Sequence, residues 1–456
     1  MKKIIGIVVA IIGIGALGYG GWLWLGRDPL SFAGGSTVAL EDYKGGAIAG
    51  VPAQLVRADL VKRGEYLAHA ADCLVCHTAP SGAPFAGGFP LKLPFGVIYS
   101  TNITPDKQTG IGNYTDAQFL AAMRKGVRAD GRNLYPAMPY TSYAYMTDDD
   151  ALAIKAYLFT LAPVHSPAKP NQLPWPFDQR GLLALWNVMF NVDERFRPNI
   201  GQSPQWNRGA YLAEALGHCG ECHTPRNLAF ALDNHRKFAG ALTAGWRAYN
   251  ITSDKDSGIG DWSDKDLDLY LSTGHASGHG GAAGPMGEAS DNSLSFLAPE
   301  DVRDLTTYLR SIPAHASGLP RAVTTPAPTS YKQGSTADAA DSRGEKIFAG
   351  ACASCHDWTG VSPVTGFATL TGVRAVNDPS GANVTQTIIN GVNRNTAEGK
   401  IFMPAFGDGY SDEDIAAVAN YVTARFGAKG ARLTGKDVAD LRKQASPPLS
   451  KDAPND

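Results

Sequence analysis

At 456 residues the chain has room for about three domains of ordinary size. Its formal charge of −2 and pI near 6.6 leave no basic excess and argue against nucleic acid as a partner. With 51 glycines and 29 prolines, the composition suits small loop-rich units that need help to build a core rather than one large regular fold.

Lys2 and Lys3 precede an uncharged stretch from Ile4 to Leu25. As a helix its 22 residues would measure about 33 Å, enough to cross a bilayer. A cleaved leader has a shorter apolar region of about 7–15 residues and ends at a small-x-small site. This stretch ends in Trp22-Leu23-Trp24-Leu25, a composition suited to a membrane interface. Residues 1–30 therefore read as a cytoplasmic start and an uncleaved transmembrane anchor, with everything beyond Gly26 on the outer side.

The first unit, residues 31–170, carries Gly64-Glu65-Tyr66-Leu67, Cys73-Leu74-Val75-Cys76-His77, Asn102-Ile103-Thr104 and Gly110-Ile111-Gly112. Thr147, with Asp150 three residues on, announces a closing helix through a capping box in which Asp replaces Glu. A connection over 171–206 contains the uncharged run Gly181–Phe190, too short to span a membrane. It is expected to pack as a helix between units, in preference to a contact with a partner or a membrane surface.

The second unit, 207–315, repeats the first. Gly209-Ala210-Tyr211-Leu212 echoes Gly64 to Leu67, and Asn250-Ile251-Thr252 and Gly258-Ile259-Gly260 return at a constant offset of 148 residues. Its motif is Cys219-Gly220-Glu221-Cys222-His223, and Pro299 opens a helix with Val302, Leu305 and Leu309 on one face. A linker rich in Pro, Ala, Ser and Thr covers 316–340. The third unit, 341–430, keeps Gly344-Glu345-Lys346-Ile347-Phe348 before Cys352-Ala353-Ser354-Cys355-His356. It closes on a helix capped by Ser411 and Asp414, with Ile415, Val418, Ala419 and Val422 on one face. Residues 431–456 read as a polar tail without a second anchor.

The three Cys-x-x-Cys-His motifs use every cysteine in the chain. Zinc ribbons and disulfides are the competing readings. A ribbon needs two Cys-x-x-Cys elements close enough to complete one tetrahedron, and no cysteine is left over to pair outside the motifs. Two thiols three residues apart can instead join one haem as thioethers, with the next histidine on the iron, so three covalently bound haem c are expected.

Each iron then needs a sixth ligand for electron transfer, or an open position for chemistry. After its motif the second unit has only Met286 and the third only Met403, both beside proline and glycine and both expected in loops. The first unit offers Met123, Met138 and Met146; the offset of 148 maps Met138 onto Met286, and the other two onto Leu271 and Leu294. The expected axial pairs are His77 with Met138, His223 with Met286 and His356 with Met403. Met123 is assigned to core packing and Met146 to a staple before Thr147. His218, His275 and His279 are the rival ligands, but bis-histidine ligation would leave the repeated methionines unexplained.

No nucleophile and base pair and no second metal cluster stand out, and the Gly278–Gly284 run is expected to lack the flanking strand and helix of a nucleotide fingerprint. Catalytic residues are accordingly expected to be none, and the chain reads as wiring. A haem enzyme with one open iron, and a free-standing carrier or terminal-oxidase module, are the alternatives.

Helix, haem motif, long loop and closing helix resemble the cytochrome c layout, which implies a mainly α fold of three tandem domains behind the anchor. The segments Asn102 to Gly112, Tyr135-Pro136-Ala137-Met138-Pro139-Tyr140 and Gly217 to Arg226 resemble the triple-haem cytochrome c subunit of bacterial membrane-bound dehydrogenases. That family serves alcohol dehydrogenases with a quinone cofactor, sugar and gluconate dehydrogenases with flavin, and aldehyde dehydrogenases with molybdopterin. The resemblance implies an inner-membrane protein with its haems in the periplasm, relaying electrons from a catalytic subunit to ubiquinone, with a small third subunit as a further partner. Within the family a retained N-terminal anchor points to the aldehyde-oxidising members, and Trp186 and Phe190 become candidates for contact with membrane or quinone.

Overall fold

A computed structural model describes Gly18, Gly20, Gly21, Gly26 and residues 28–328, 342–397 and 399–444. The rest of the Ile4–Leu25 stretch, and with it the expected anchor, lies outside the described residues. Among the described residues no helix is long and apolar enough to cross a membrane.

The fold is mainly helical. The first unit comprises α1 (Leu60–Ala70), α2 (Cys73–Cys76), the hairpin β1 (Pro90–Leu93) and β2 (Gly96–Tyr99), α3 (Asp116–Lys125), α4 (Tyr140–Tyr143) and α5 (Asp148–Leu158). Helix α6 (Leu182–Phe190) lies in the connection. The second unit runs α7 (Pro204–Tyr211), α8 (Gly220–His223), the β3 (Ala241–Thr243) and β4 (Trp246–Ala248) hairpin, α9 (Asp264–Thr273), β5 (His275–Ala276), β6 (Gly280–Gly281), α10 (Gly284–Asn292) and α11 (Pro299–Ser311). The third has α12 (Ser342–Ile347), α13 (Ala353–His356), α14 (Ala382–Asn390), the β7 (Val392–Thr396) and β8 (Gly399–Met403) hairpin, α15 (Asp412–Phe426) and α16 (Gly435–Gln444).

In every unit the first helix crosses the closing helix at a glycine. A Cβ on Gly64 would stand 1.8 Å from the Ala153 carbonyl oxygen, on Gly209 1.9 Å from that of Asp304, and on Gly344 2.2 Å from that of Ala417. The same crossing meets Tyr157, Tyr308 or Tyr421. Only glycine lets the two backbones approach this closely, which is why the Gly64, Gly209 and Gly344 segments recur in the sequence.

The first two units share one continuous core that runs from Ile48 to Ile312. They are joined by a reciprocal exchange around a pseudo-two-fold axis. The Tyr66 hydroxyl of α1 donates to Asp301 of α11 at 2.5 Å and accepts the Ala298 N–H at 3.2 Å. Its repeat partner, Tyr211 of α7, donates to Asp150 of α5 at 2.5 Å and accepts the Thr147 N–H at 3.3 Å. Each tyrosine caps the closing helix of the other unit. This corrects the capping box expected at Thr147: the Thr147 hydroxyl accepts the Asp150 N–H, but the Asp150 carboxylate turns away to Tyr211 and Gly50. Arg208 adds a bidentate pair to Asp301 and donates to the Ile48 and Gly50 carbonyls.

The third unit has its own core around Phe348, Ile415, Val422 and Phe426. It meets the second through polar contacts. Asn383 pairs with the Arg247 backbone, Arg247 with Asp378, and Arg394 enters the second unit to reach Asp291 and the carbonyls of Thr273, Gly274 and Ala282. At Ser411 the capping box forms as expected. Part of the expected tail is helix α16, docked through buried Val438 and the Arg442–Asp412 pair.

Helix α6 departs from expectation. Trp186 and Asn187 hold one side, through Trp186 Nε1–H to the Ala229 carbonyl and Tyr140 O–H to Asn187. At helical spacing the other side faces out, with Leu182, Leu185 and Val188 57, 62 and 76% exposed. It is a half-docked helix with a bare apolar face rather than a core element.

Candidate haem-binding sites

Each Cys-x-x-Cys-His segment is one turn of helix, which places its two thiols on one side. The residue before Cys73 and Cys219 turns left-handed, Asp72 at φ 51° and His218 at φ 37°, to bend the chain from the first helix into the motif. All six cysteines are free thiols. Burial pushes Cys73 and Cys219 up to about 12 and Cys222 and Cys352 up to about 11, so they stay protonated.

The histidines are oriented alike. Nδ1–H donates to a backbone carbonyl at 2.6 Å in all three, Thr101 for His77, Tyr249 for His223 and Ala368 for His356. Burial lowers the pKa of each imidazole. A neutral ring with Nδ1–H engaged leaves the Nε2 lone pair for a metal, the arrangement a haem-ligating histidine needs.

What supports those carbonyls explains the repeats. Asn102 accepts the Thr104 N–H and donates to Thr109 and the Val164 carbonyl; Asn250 does the same with Thr252, Ser257 and the His315 carbonyl. Each buried Asn-Ile-Thr turn thus fixes the carbonyl just before it. A second repeat was missed in the sequence, Phe85-Ala86-Gly87 and Phe238-Ala239-Gly240. The Phe N–H donates to Thr78 or Thr224, directly after the motif histidine, and the Gly N–H donates to that histidine's own carbonyl. Self-comparison of the two loops would have revealed it.

Met138 lies in the loop before α4, partly buried against the shared core. Met286 and Met403, expected in loops, do not lie in them. Met286 falls in the first turn of α10, because Pro285 suits a helix start and Gly284, at φ 53°, makes the entering bend. That helix, and the short β5–β6 hairpin ahead of it, also correct the expectation that the Gly278–Gly284 run has neither strand before it nor helix after it. Met403 ends β8 and shares an apolar cavity of about 280 Å³ with Cys352, Ile388, Phe406, Ile415 and Val418. Cys352 and Met403 on one apolar cavity fit a haem bound between them. Met123 and Met146 are buried in the core.

The rival histidines are engaged elsewhere. His279 stacks on Trp262 at 3.8 Å beside Asp266, His275 lies against Phe367, and His218 packs edge-on to Tyr143. Among the described residues no group of three or more His, Cys, Asp or Glu is placed to hold a metal ion.

The first two motifs are neighbours. Cys76 feels the charge of Cys222, the Tyr143 hydroxyl donates to the Ala71 carbonyl, and Thr141 donates to Glu221 inside the second motif. The second and third are linked through Tyr249, whose carbonyl holds His223 while its hydroxyl reaches Asp378, and through the contact of His275 with Phe367, next to Ala368.

Oriented imidazoles beside paired thiols in small helical units define a c-type cytochrome with covalently bound haem. The cytochrome c family model matches residues 61–162, and the model described as cytochrome c oxidase, cbb3-type, subunit III matches 339–422. The chain is 41% identical over 402 residues to the fructose dehydrogenase cytochrome subunit of Gluconobacter japonicus, covering 84% of this chain and 82% of that one. It is 39% identical over 407 residues to the gluconate 2-dehydrogenase cytochrome c subunit of Pantoea cypripedii, with 84% and 90% covered. It is 36% identical over 408 residues to the cytochrome c subunit of the quinone alcohol dehydrogenase of Gluconobacter oxydans, with 85% and 83% covered. The chain belongs to the family of dehydrogenase cytochrome c subunits.

Proposed function

We propose that this chain is the electron-transfer subunit of a membrane-bound periplasmic dehydrogenase, carrying electrons from a catalytic subunit through three haem c to ubiquinone. The three units each hold one haem: Cys73, Cys76 and His77 with Met138; Cys219, Cys222 and His223 with Met286; Cys352, Cys355 and His356 with Met403. A haem with both axial positions filled supplies reversible one-electron transfer and no vacant iron site. The chain's own residues attach it, hold the proximal ring through Thr101, Tyr249 or Ala368, and bury it.

The observation that carries this reading is the identical setting of the three histidines, each neutral and tied through Nδ1 at 2.6 Å. Similarity along most of the chain to dehydrogenase cytochrome subunits supports a catalytic partner. Fructose, gluconate and alcohol each offer a hydroxyl to be oxidised, which favours a hydroxyl-oxidising partner over the aldehyde-oxidising one suggested by the N-terminal stretch. That stretch serves as the single inner-membrane anchor, and a small third subunit completes the complex.

Purifying the native complex from membranes tests this. The expected result is three haem c per chain, a co-eluting catalytic subunit with its cofactor, and no stoichiometric spectral shift when carbon monoxide meets the reduced protein. A shift equal to one haem would reveal an open iron and overturn the relay.

A further inference from the structure

A cleft opens where three parts of the molecule meet: Gly26, directly after the Ile4–Leu25 stretch; helix α6; and the loop Arg226–His235, which follows the second haem motif. It encloses about 740 Å³, part of it open to solvent. We propose that this cleft binds the ring of the membrane quinone and so marks where electrons leave the chain.

Four features match a quinone. Trp186 and Phe190, with ring centroids 5.2 Å apart, supply an aromatic wall for a flat ring. Asn227, Asp233 and His235 line the cleft as well and supply polar groups for the ring's two oxygens. Outside, Leu182, Leu185 and Val188 give the bare apolar approach that a ligand dissolved in lipid requires. The fourth feature is the source of electrons. Leu232, on the cleft wall, reaches within 3.4 Å of a Cβ built on Gly220, between Cys219 and Cys222, and Arg226 donates to the Glu221 carbonyl and carboxylate.

Gly26 makes the bilayer the source of the ligand. A Cβ there would stand 2.4 Å from His235 Nε2, so the chain leaves the cleft rim at the point where the uncharged stretch begins. If that stretch enters the membrane, the apolar face of α6 and the mouth of the cleft lie at the lipid surface beside it. Reduction takes two electrons in succession, each turning one ferrous haem iron ferric, and two protons from water by way of His235 and Asp233. The product is the quinol, and no other co-reactant is needed.

This assignment rests on the reading of the chain as a membrane-held relay to ubiquinone. The test uses the whole dehydrogenase complex in detergent, turning over its substrate with ubiquinone-1 or with ferricyanide. Phe190→Ala and His235→Phe should each raise the KM for ubiquinone-1 about tenfold, the effect of losing one stacking or hydrogen-bonding contact, while ferricyanide turnover is kept. An azido-ubiquinone photolabel on the unaltered complex should mark peptides from 182–190 or 226–235, with ubiquinone-1 protecting them. An unchanged KM in both variants, or label confined elsewhere, overturns the cleft assignment and leaves the relay intact. A complex that reduces ferricyanide but no ubiquinone overturns the relay to quinone, and the cleft with it. If a variant loses ferricyanide turnover as well, the photolabel decides.

Discussion

One arginine–aspartate pair occurs at the same place in the second and third units and lives two different lives. Arg208–Asp301 and Arg343–Asp414 both join the residue before the crossing glycine to the third residue of the closing helix. In the second unit the pair is 7% and 2% exposed, sealed by the first unit and shared with Tyr66; in the third it is 56% and 23% exposed. The chemistry is unchanged and the surroundings differ, because the first two units pack as a pseudo-symmetric pair while the third docks through polar contacts. A repeat can keep its residues and still change what they contribute.

The largest expected effect breaks the buried side of this comparison. Asp301→Ala leaves the Arg208 guanidinium and the Tyr66 hydroxyl buried without their acceptor and should cost about 3–5 kcal/mol in urea unfolding. Gly209→Ala and Gly344→Ala come next. Each drives a methyl into a main-chain carbonyl, at 1.9 and 2.2 Å, and overpacking of that kind costs about 1–3 kcal/mol or more. Hydrogen exchange should show Gly209→Ala loosening the first two units together and Gly344→Ala loosening the third alone. Equal loosening throughout would mean that the separate cores are not separate cooperative units.

Asp304 sharpens the contrast through pH. Burial, with the nearby charge of Asp301, raises its pKa from 3.8 to about 6. The folded state therefore binds this proton more tightly than the unfolded chain, and stability is lost as pH rises through about 6. Asp304→Asn should unfold like the parent near pH 4 and resist urea better than the parent above about pH 7. The smallest effect belongs to the exposed pair. Arg343→Ala should change stability by no more than about 1 kcal/mol, and a loss like that of Asp301→Ala would erase the distinction between the two settings.

Much of this was legible in the sequence for a physical reason. A Cys-x-x-Cys-His turn, a glycine at a helix crossing and an Asn-Ile-Thr turn act within a few residues of themselves or at a fixed place in a repeat. Spacing therefore reports them, and the same offset places Met138 opposite Met286. Groups acting across units leave no such trace. Tyr66 and Asp301 stand 235 positions apart, and nothing local to Thr147 shows that a tyrosine from another unit will take its N–H. The glycine-rich run before Met286 is ambiguous for a related reason, since glycine permits a loop and a helix start alike and only the neighbouring Trp246 selects the bend.

By itself the sequence determined the covalent haem chemistry and the family pattern, because thioether attachment and its histidine are encoded in five consecutive residues. Tertiary structure alone decided that two units would fuse around reciprocal tyrosine caps, that a third would stand on its own core, and that α6 would keep a bare apolar face. Those outcomes depend on which surfaces find each other, and burial, unlike bonding, is a property of the assembled molecule.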